Sequence, residues 1–254
     1  MRRIKRRIFA GTVCEQIVYS VSDRVKDIQK AAPPKQRFKT PEERELHKTE
    51  ISRRRHARLF NENFGPTSLF STLTFDDEHE VHTYDEAKKI LDNYVRRLMY
   101  AYPEAVIFAY KGRGATHRIH IHMVSQGVPQ ELIEKQWPYG KIKRIENLRE
   151  HNFYDGVDHG QDYTALANYL FNHWTPEQGG HRWKQTRTAR KPDIEPATEA
   201  IRNYSVERPP TPPKGYMLVD AKETKYGYLY FKYVKKPQRK PPGRKKKPIP
   251  NRLS

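Results

Sequence analysis

The 254 residues include 49 Lys and Arg against 30 Asp and Glu, a formal charge of +19, which favours a polyanionic partner and makes nucleic acid the default. Only 35% of the residues are hydrophobic and mean hydropathy is −0.99, so one compact domain with polar extensions is expected. No apolar run approaches the roughly 18 residues of a membrane span, and the single cysteine, Cys14, excludes a disulfide framework and a cysteine-rich zinc site, as suits a cytoplasmic protein.

Residues 1–65 read as a basic N-terminal extension, partly helical. The start Met1-Arg2-Arg3-Ile4-Lys5-Arg6-Arg7 mimics the charged region of an export signal, but the apolar stretch behind it is short and ends at Glu15-Gln16, so no export signal is expected. Thr40 as N-cap, Pro41 in the first turn and Glu43 at the third position predict a helix. That helix runs into Arg53, Arg54 and Arg55, a cluster suited to tracking phosphates and equally readable as a solvated helix face.

Leu69 to Phe75 alternates like a core strand and stops at Asp76-Asp77. Ala87, Ile90, Leu91, Tyr94, Val95 and Leu98 then recur at helical spacing, and Pro103 closes that helix. Val106 to Tyr110 reads as a strand that turns through Lys111-Gly112-Arg113-Gly114 into a second one, an antiparallel hairpin; its glycines read as a turn and not as a phosphate cradle, because no helix follows. In the second strand Ile119, Ile121 and Met123 alternate with His120 and His122, so the two imidazoles project from one face. Neutral imidazole is the commonest side-chain ligand for a divalent ion, although a solvated pair would show the same pattern.

Glu131 to Trp137 is expected as a short helix, with Trp137 a packing anchor or a base-stacking platform, and Lys141 to Leu148 as a further strand. Asp162 is an acceptable N-cap for a helix from Tyr163 to His173, on which Tyr169 shares a face with Ala165, Asn172 and His173. Arg182, Lys184, Arg187 and Arg190, interleaved with Trp183, suit a single strand: charges for phosphates and an aromatic face for a base. Residues 193–234 read as a Pro-rich linker and a β-hairpin that must dock on something, and residues 235–254 as a disordered basic tail.

The run Phe70-Ser71-Thr72-Leu73-Thr74-Phe75, the pair His120-Ile121-His122 and the helix Asn168-Tyr169-Leu170-Phe171-Asn172-His173, in this order, resemble the three motifs of the HUH endonucleases, specifically the rolling-circle replication initiators of plasmids, phages and mobile elements. The resemblance covers about residues 68–192, with the domain drawn at 66–192. It implies an α+β fold with a central antiparallel sheet and helices packed on it. It also implies a divalent metal, Mg or Mn, on His120 and His122, and a nucleophile at Tyr169 that nicks and rejoins single-stranded origin DNA through a 5′-phosphotyrosine. A host helicase and a DNA polymerase would be the further partners. Tyr163, six residues before Tyr169, falls on another helix face and is expected to pack.

Two positions depart from the family pattern. Asn172 stands where relatives carry a lysine, and Val106 to Lys111 offers no acidic third ligand. The third ligand is assigned to His117 as the nearest candidate, with Glu104, Asp76 and Asp77 as alternatives, and His173 is read as a helper of the nucleophile. A transposase or a mobilisation relaxase would use the same residues, and a non-catalytic nucleic-acid-binding protein would share the charge.

Overall fold

The computed structural model describes residues 1–33, 38, 40–113, 118–175 and 181–237. Among them the chain is α+β, with two larger antiparallel sheets, a small two-stranded one and four helices. No helix of these residues is long and apolar enough to cross a membrane.

The histidine pair lies in the middle of one sheet. Its strands run in the order β6 (Ile142–Asn147), β3 (Leu69–Thr74), β5 (Ile119–Gln126), β4 (Val106–Arg113) and β9 (Lys184–Gln185). Side chains alternate across it. On one face Leu73, Ile107, Ala109, Ile121 and Met123 bury against α2 (Tyr84–Ala101), through Ala87, Leu91, Tyr94, Val95 and Leu98. That helix begins at a complete capping box of Thr83 and Glu86. On the other face Phe70, Phe108, Tyr110 and Val124 meet α1 (Pro41–Asn63) and α4 (Thr164–Phe171). Trp137 is a packing anchor: it is 4% exposed, touches Phe75 and Tyr94, and donates its indole N–H to the Thr74 carbonyl at 3.0 Å.

The ends of the chain, expected as an extension and a separate hairpin, together form the other large sheet. β1 (Arg2–Ala10) and β2 (Val13–Val21) make a hairpin, and β13 (Leu229–Lys235) pairs along β2 while β12 (Tyr216–Glu223) covers β13. Two short strands, β10 (Asp193–Ile194) and β11 (Thr198–Glu199), line the outer edge of β1, so part of the expected linker is also paired. The expected tail lies outside the described residues from 238 onward. Gly11 in the first hairpin has φ +58°, and a Cβ there would stand 2.1 Å from the Asn61 carbonyl oxygen. Only glycine permits that turn to sit against α1.

Helix α1 ties the sheets together. Arg58 forks onto the buried Glu15 carboxylate of β2. Asn61 binds the Tyr163 N–H at 2.8 Å and Thr164 Oγ1 at 3.0 Å, which fixes where α4 starts. From the other side Lys232 of β13 reaches Asp162 at 2.5 Å and Thr164 at 2.9 Å. Burial opposes the charge on Asp162, yet Lys232 and the hydrogen bonds to its carboxylate outweigh that and hold its pKa below the usual value. The start of α4, whose next turn carries Tyr169, is thus clamped between α1 and the terminal sheet.

Candidate metal centre and nucleophile

His120 and His122 sit on the face of β5 that looks toward α4, opposite Gly112 and Tyr110 of β4 and Thr74 and Thr72 of β3. The strand carries them from partial exposure at His120 to 6% exposure at His122. The third member comes from the turn that ends α4. His173 Nε2 lies 3.1 Å from His122 Nε2, which is itself 3.1 Å from His120 Nε2. All three ligand atoms lie within 4.8 Å of one another.

Two hydrogen bonds aim these rings. Thr72 Oγ1 meets His122 Nδ1 at 3.1 Å, and His173 Nδ1 is 3.0 Å from the Tyr169 carbonyl, to which it can only donate. With the proton of His173 on Nδ1, its Nε2 presents a lone pair to the cluster. Burial, then the neighbouring His120 and His173, push the His122 pKa down to about 3, so that ring is neutral at physiological pH. Converging lone pairs on neutral imidazoles repel unless a cation or a shared proton lies between them. A divalent ion about 2.0–2.1 Å from each of two nitrogens separates them by roughly 3 Å at a right angle, and the observed spacing of 3.1 Å fits. The three histidines can hold a divalent metal ion.

Gly112, which reads in the sequence as part of a turn, belongs to β4 and is needed at this point. A Cβ there would lie 2.8 Å from His173 Cδ2 and 3.3 Å from His120 Nε2. Any larger residue would push the third ring out of the cluster.

The other candidates for third ligand are elsewhere. Asp76 binds His79 at 2.8 Å, Asp77 binds Arg118, and Glu104 is exposed in the turn between α2 and β4. His117 lies outside the described residues. His173, expected beside the nucleophile as its helper, lies against the Tyr169 ring and has Nδ1 at the Tyr169 carbonyl and Nε2 at His122.

Tyr169 is 53% exposed, with its ring centroid 4.5 Å from that of His173 and 6.0 Å from that of His122. A tyrosine kept for packing would be buried, as Tyr163 is: that ring is 2% exposed, donates its hydroxyl to the Arg149 carbonyl at 2.8 Å, and has its pKa raised by burial and by Glu150. Tyr169 and His122 form part of the wall of a cleft of about 330 Å3 between β3, β6 and α4.

Of the eight side chains expected to meet nucleic acid, some are committed within the protein. Arg54 pairs with Glu50 and Lys184 with Asp92, both at 2.6 Å, and Arg190 stands 3.9 Å from Glu62. Trp183 packs on His56 and Phe171 and gives its N–H to Gln185. Arg55 and Arg187 are exposed. Arg53 and Arg182 both lie over the Phe171 ring, at 5.9 and 4.6 Å, and burial followed by the charge of Arg53 lowers the Arg182 pKa. None of these last four has a carboxylate partner among the described residues.

His56, inconspicuous within the arginine run, is fully buried among Phe60, Phe108, Tyr110, Phe171 and Trp183, with Nε2 2.7 Å from the Tyr110 hydroxyl. No protein-family model, curated protein or solved structure matches this chain.

Proposed function

We propose that the chain nicks and rejoins single-stranded DNA through a covalent tyrosine intermediate, in the manner of the HUH replication initiators that its motifs resemble. The observation that carries this reading is the juxtaposition of three inward-facing imidazole nitrogens with a half-exposed tyrosine on the helix whose closing turn supplies the third. A core histidine cluster has no need of an exposed phenol beside it.

His120, His122 and His173 would hold the ion. When bound, a divalent ion polarises the scissile phosphate and withdraws charge from its oxygens. Tyr169 Oη forms the new bond to phosphorus while the bond from phosphorus to the 3′ oxygen breaks. The phenolic proton passes to solvent, which reaches the exposed ring, and the departing oxygen takes one up as a free 3′ hydroxyl. The strand's 5′ phosphate stays on Tyr169, so the bond energy is retained and the reverse attack reseals the strand. Arg53, Arg55, Arg182 and Arg187 supply cations for the phosphates that flank the break. The 3′ hydroxyl would prime a polymerase at an origin, with a helicase following.

Three imidazoles without a carboxylate make a softer donor set than Mg2+ prefers, and affinity should rise from Mn2+ through Co2+ to Ni2+. Mn2+ is therefore the ion for the first assay. The protein is incubated with circular single-stranded DNA and Mn2+, and a denaturing gel is read for a protein–DNA adduct. The expected adduct requires metal and disappears in Tyr169→Phe and His120→Ala. Tight, salt-sensitive binding with no adduct on varied DNA would replace this reading with a non-catalytic binding protein.

A further inference from the structure

The cleft beside Tyr169 has a composition that the nicking chemistry itself does not explain. Its volume of about 330 Å3 stands at the small end of the roughly 300–1,000 Å3 of ligand clefts. That is room for one nucleotide and too little for a duplex. The floor is apolar: Phe70, Leu148 and Tyr163 are each under 10% exposed, and Leu166 of α4 forms the facing wall. Phe70 lies nearly parallel to His122, at 21° and 5.5 Å between centroids. The rim is cationic. Arg144 sits 5.8 Å over the Phe70 ring but is neutralised by Glu146 at 2.5 Å, whereas Arg149 is exposed and has no carboxylate partner among the described residues. The cleft therefore carries a net positive rim above an apolar slot, with Tyr169 and His122 in its wall.

We infer that this cleft receives one nucleotide of a single strand, its base in the slot against Leu148 and Leu166 and its phosphate at Arg149, and so seats the nucleotide beside the scissile phosphate. Apolar walls take the faces of a base, which are the part of a nucleotide that water solvates least, and a guanidinium takes its phosphate. The inference extends the nicking reading to its substrate, because Tyr169 in the cleft wall is what makes the neighbouring phosphate the scissile one.

The test uses the full chain with Tyr169→Phe, in which no adduct forms, and 15N-labelled protein titrated with each of the four deoxynucleoside 5′-monophosphates. The base-less 2-deoxyribose 5-phosphate is titrated in parallel. Amide shifts at Thr72, Asn152 and Leu166 are expected at millimolar concentrations for the nucleotides and not for the sugar phosphate. Leu166→Trp, which fills the slot, and the surface change Arg149→Glu should each weaken that binding at least tenfold. Equal shifts for all four nucleotides and for the sugar phosphate would overturn the inference, as would binding indifferent to both variants or no binding at all. Nucleotide binding here with no adduct in the wild-type assay would remove the nuclease and leave the cleft; an adduct without nucleotide binding would do the reverse.

Discussion

The two large sheets treat arginine in opposite ways. In the terminal sheet the basic run of β1 is absorbed into the fold: Arg6 donates to the Gln29 and Ala31 carbonyls, both at 2.9 Å, Arg3 to the Tyr204 carbonyl and Arg7 to Gln16. Beside the histidine sheet Arg53 and Arg182 instead crowd one aromatic ring, and Arg55, Arg149 and Arg187 face solvent, without a carboxylate among the described residues. A formal +19 is thus not a uniform field. The arginines of β1 are bound within the fold, most of them on backbone carbonyls, whereas those beside the histidine sheet keep a charge that no described carboxylate offsets.

The terminal sheet is joined to the start of α4 through the pair of Lys232 and Asp162. Lys232→Ala would strip the buried Asp162 of its cation, and losing one member of such a pair costs on the order of 3–5 kcal/mol. The urea midpoint should fall accordingly, and Lys232→Ala combined with Asp162→Asn should recover much of the loss. If Lys232→Ala is neutral, α4 does not depend on the terminal sheet and the two regions are independent.

A second test uses pH. Burial holds the His56 pKa at about 3, while in the unfolded chain it titrates near 6.5. The unfolded state takes up the proton first, so stability is complete above about pH 6.5 and declines toward pH 3, by up to about 1.4 kcal/mol per unit. His122 acts with the same sign in metal-free protein. His56→Gln should remove about half of the slope that the two histidines share between pH 6 and 4, measured by urea unfolding; an unchanged slope would mean that His56 is not held neutral.

Gly112→Ala probes the site with the smallest possible atom. The added methyl meets His173 Cδ2 at 2.8 Å, and His173 is in a turn that can yield, so the third ligand should move while the sheet persists. Metal affinity by calorimetry should drop on the order of 10- to 100-fold, as when a ligand's support is lost, with little change in the urea midpoint. Equal affinity would show that His173 is not a ligand.

The alternation of Ile119, Ile121 and Met123 with two histidines placed β5 and its histidine face directly in the sequence, Thr40 marked the start of one helix, and the apolar spacing from Ala87 to Leu98 marked another. Of the terminal sheet only the hairpin of β12 and β13 was legible. Its β1 hides a weak Ile4 and Ile8 alternation under lysine and arginine, and β2 finds its partner β13 more than 200 residues away, which no local period reports. The place of His173 in the cluster was hidden for a similar reason. His173 lies 51 residues from His122, and a glycine in a neighbouring strand leaves it room, since a Cβ at Gly112 would meet its ring.

The mildest effect separates the arginines of the two regions by salt. Each phosphate neutralised on a single strand contributes a slope of about 0.7 to the fall of log affinity with log salt. Arg55→Gln and Arg187→Gln, at exposed positions, should each reduce that slope by about this amount on a labelled single-stranded oligonucleotide. Arg6→Gln should leave it unchanged while lowering the urea midpoint, since its guanidinium serves two carbonyls. A slope that falls equally in all three variants would mean that the strand runs over the terminal sheet as well, and that the two sets of arginines differ in packing but not in purpose.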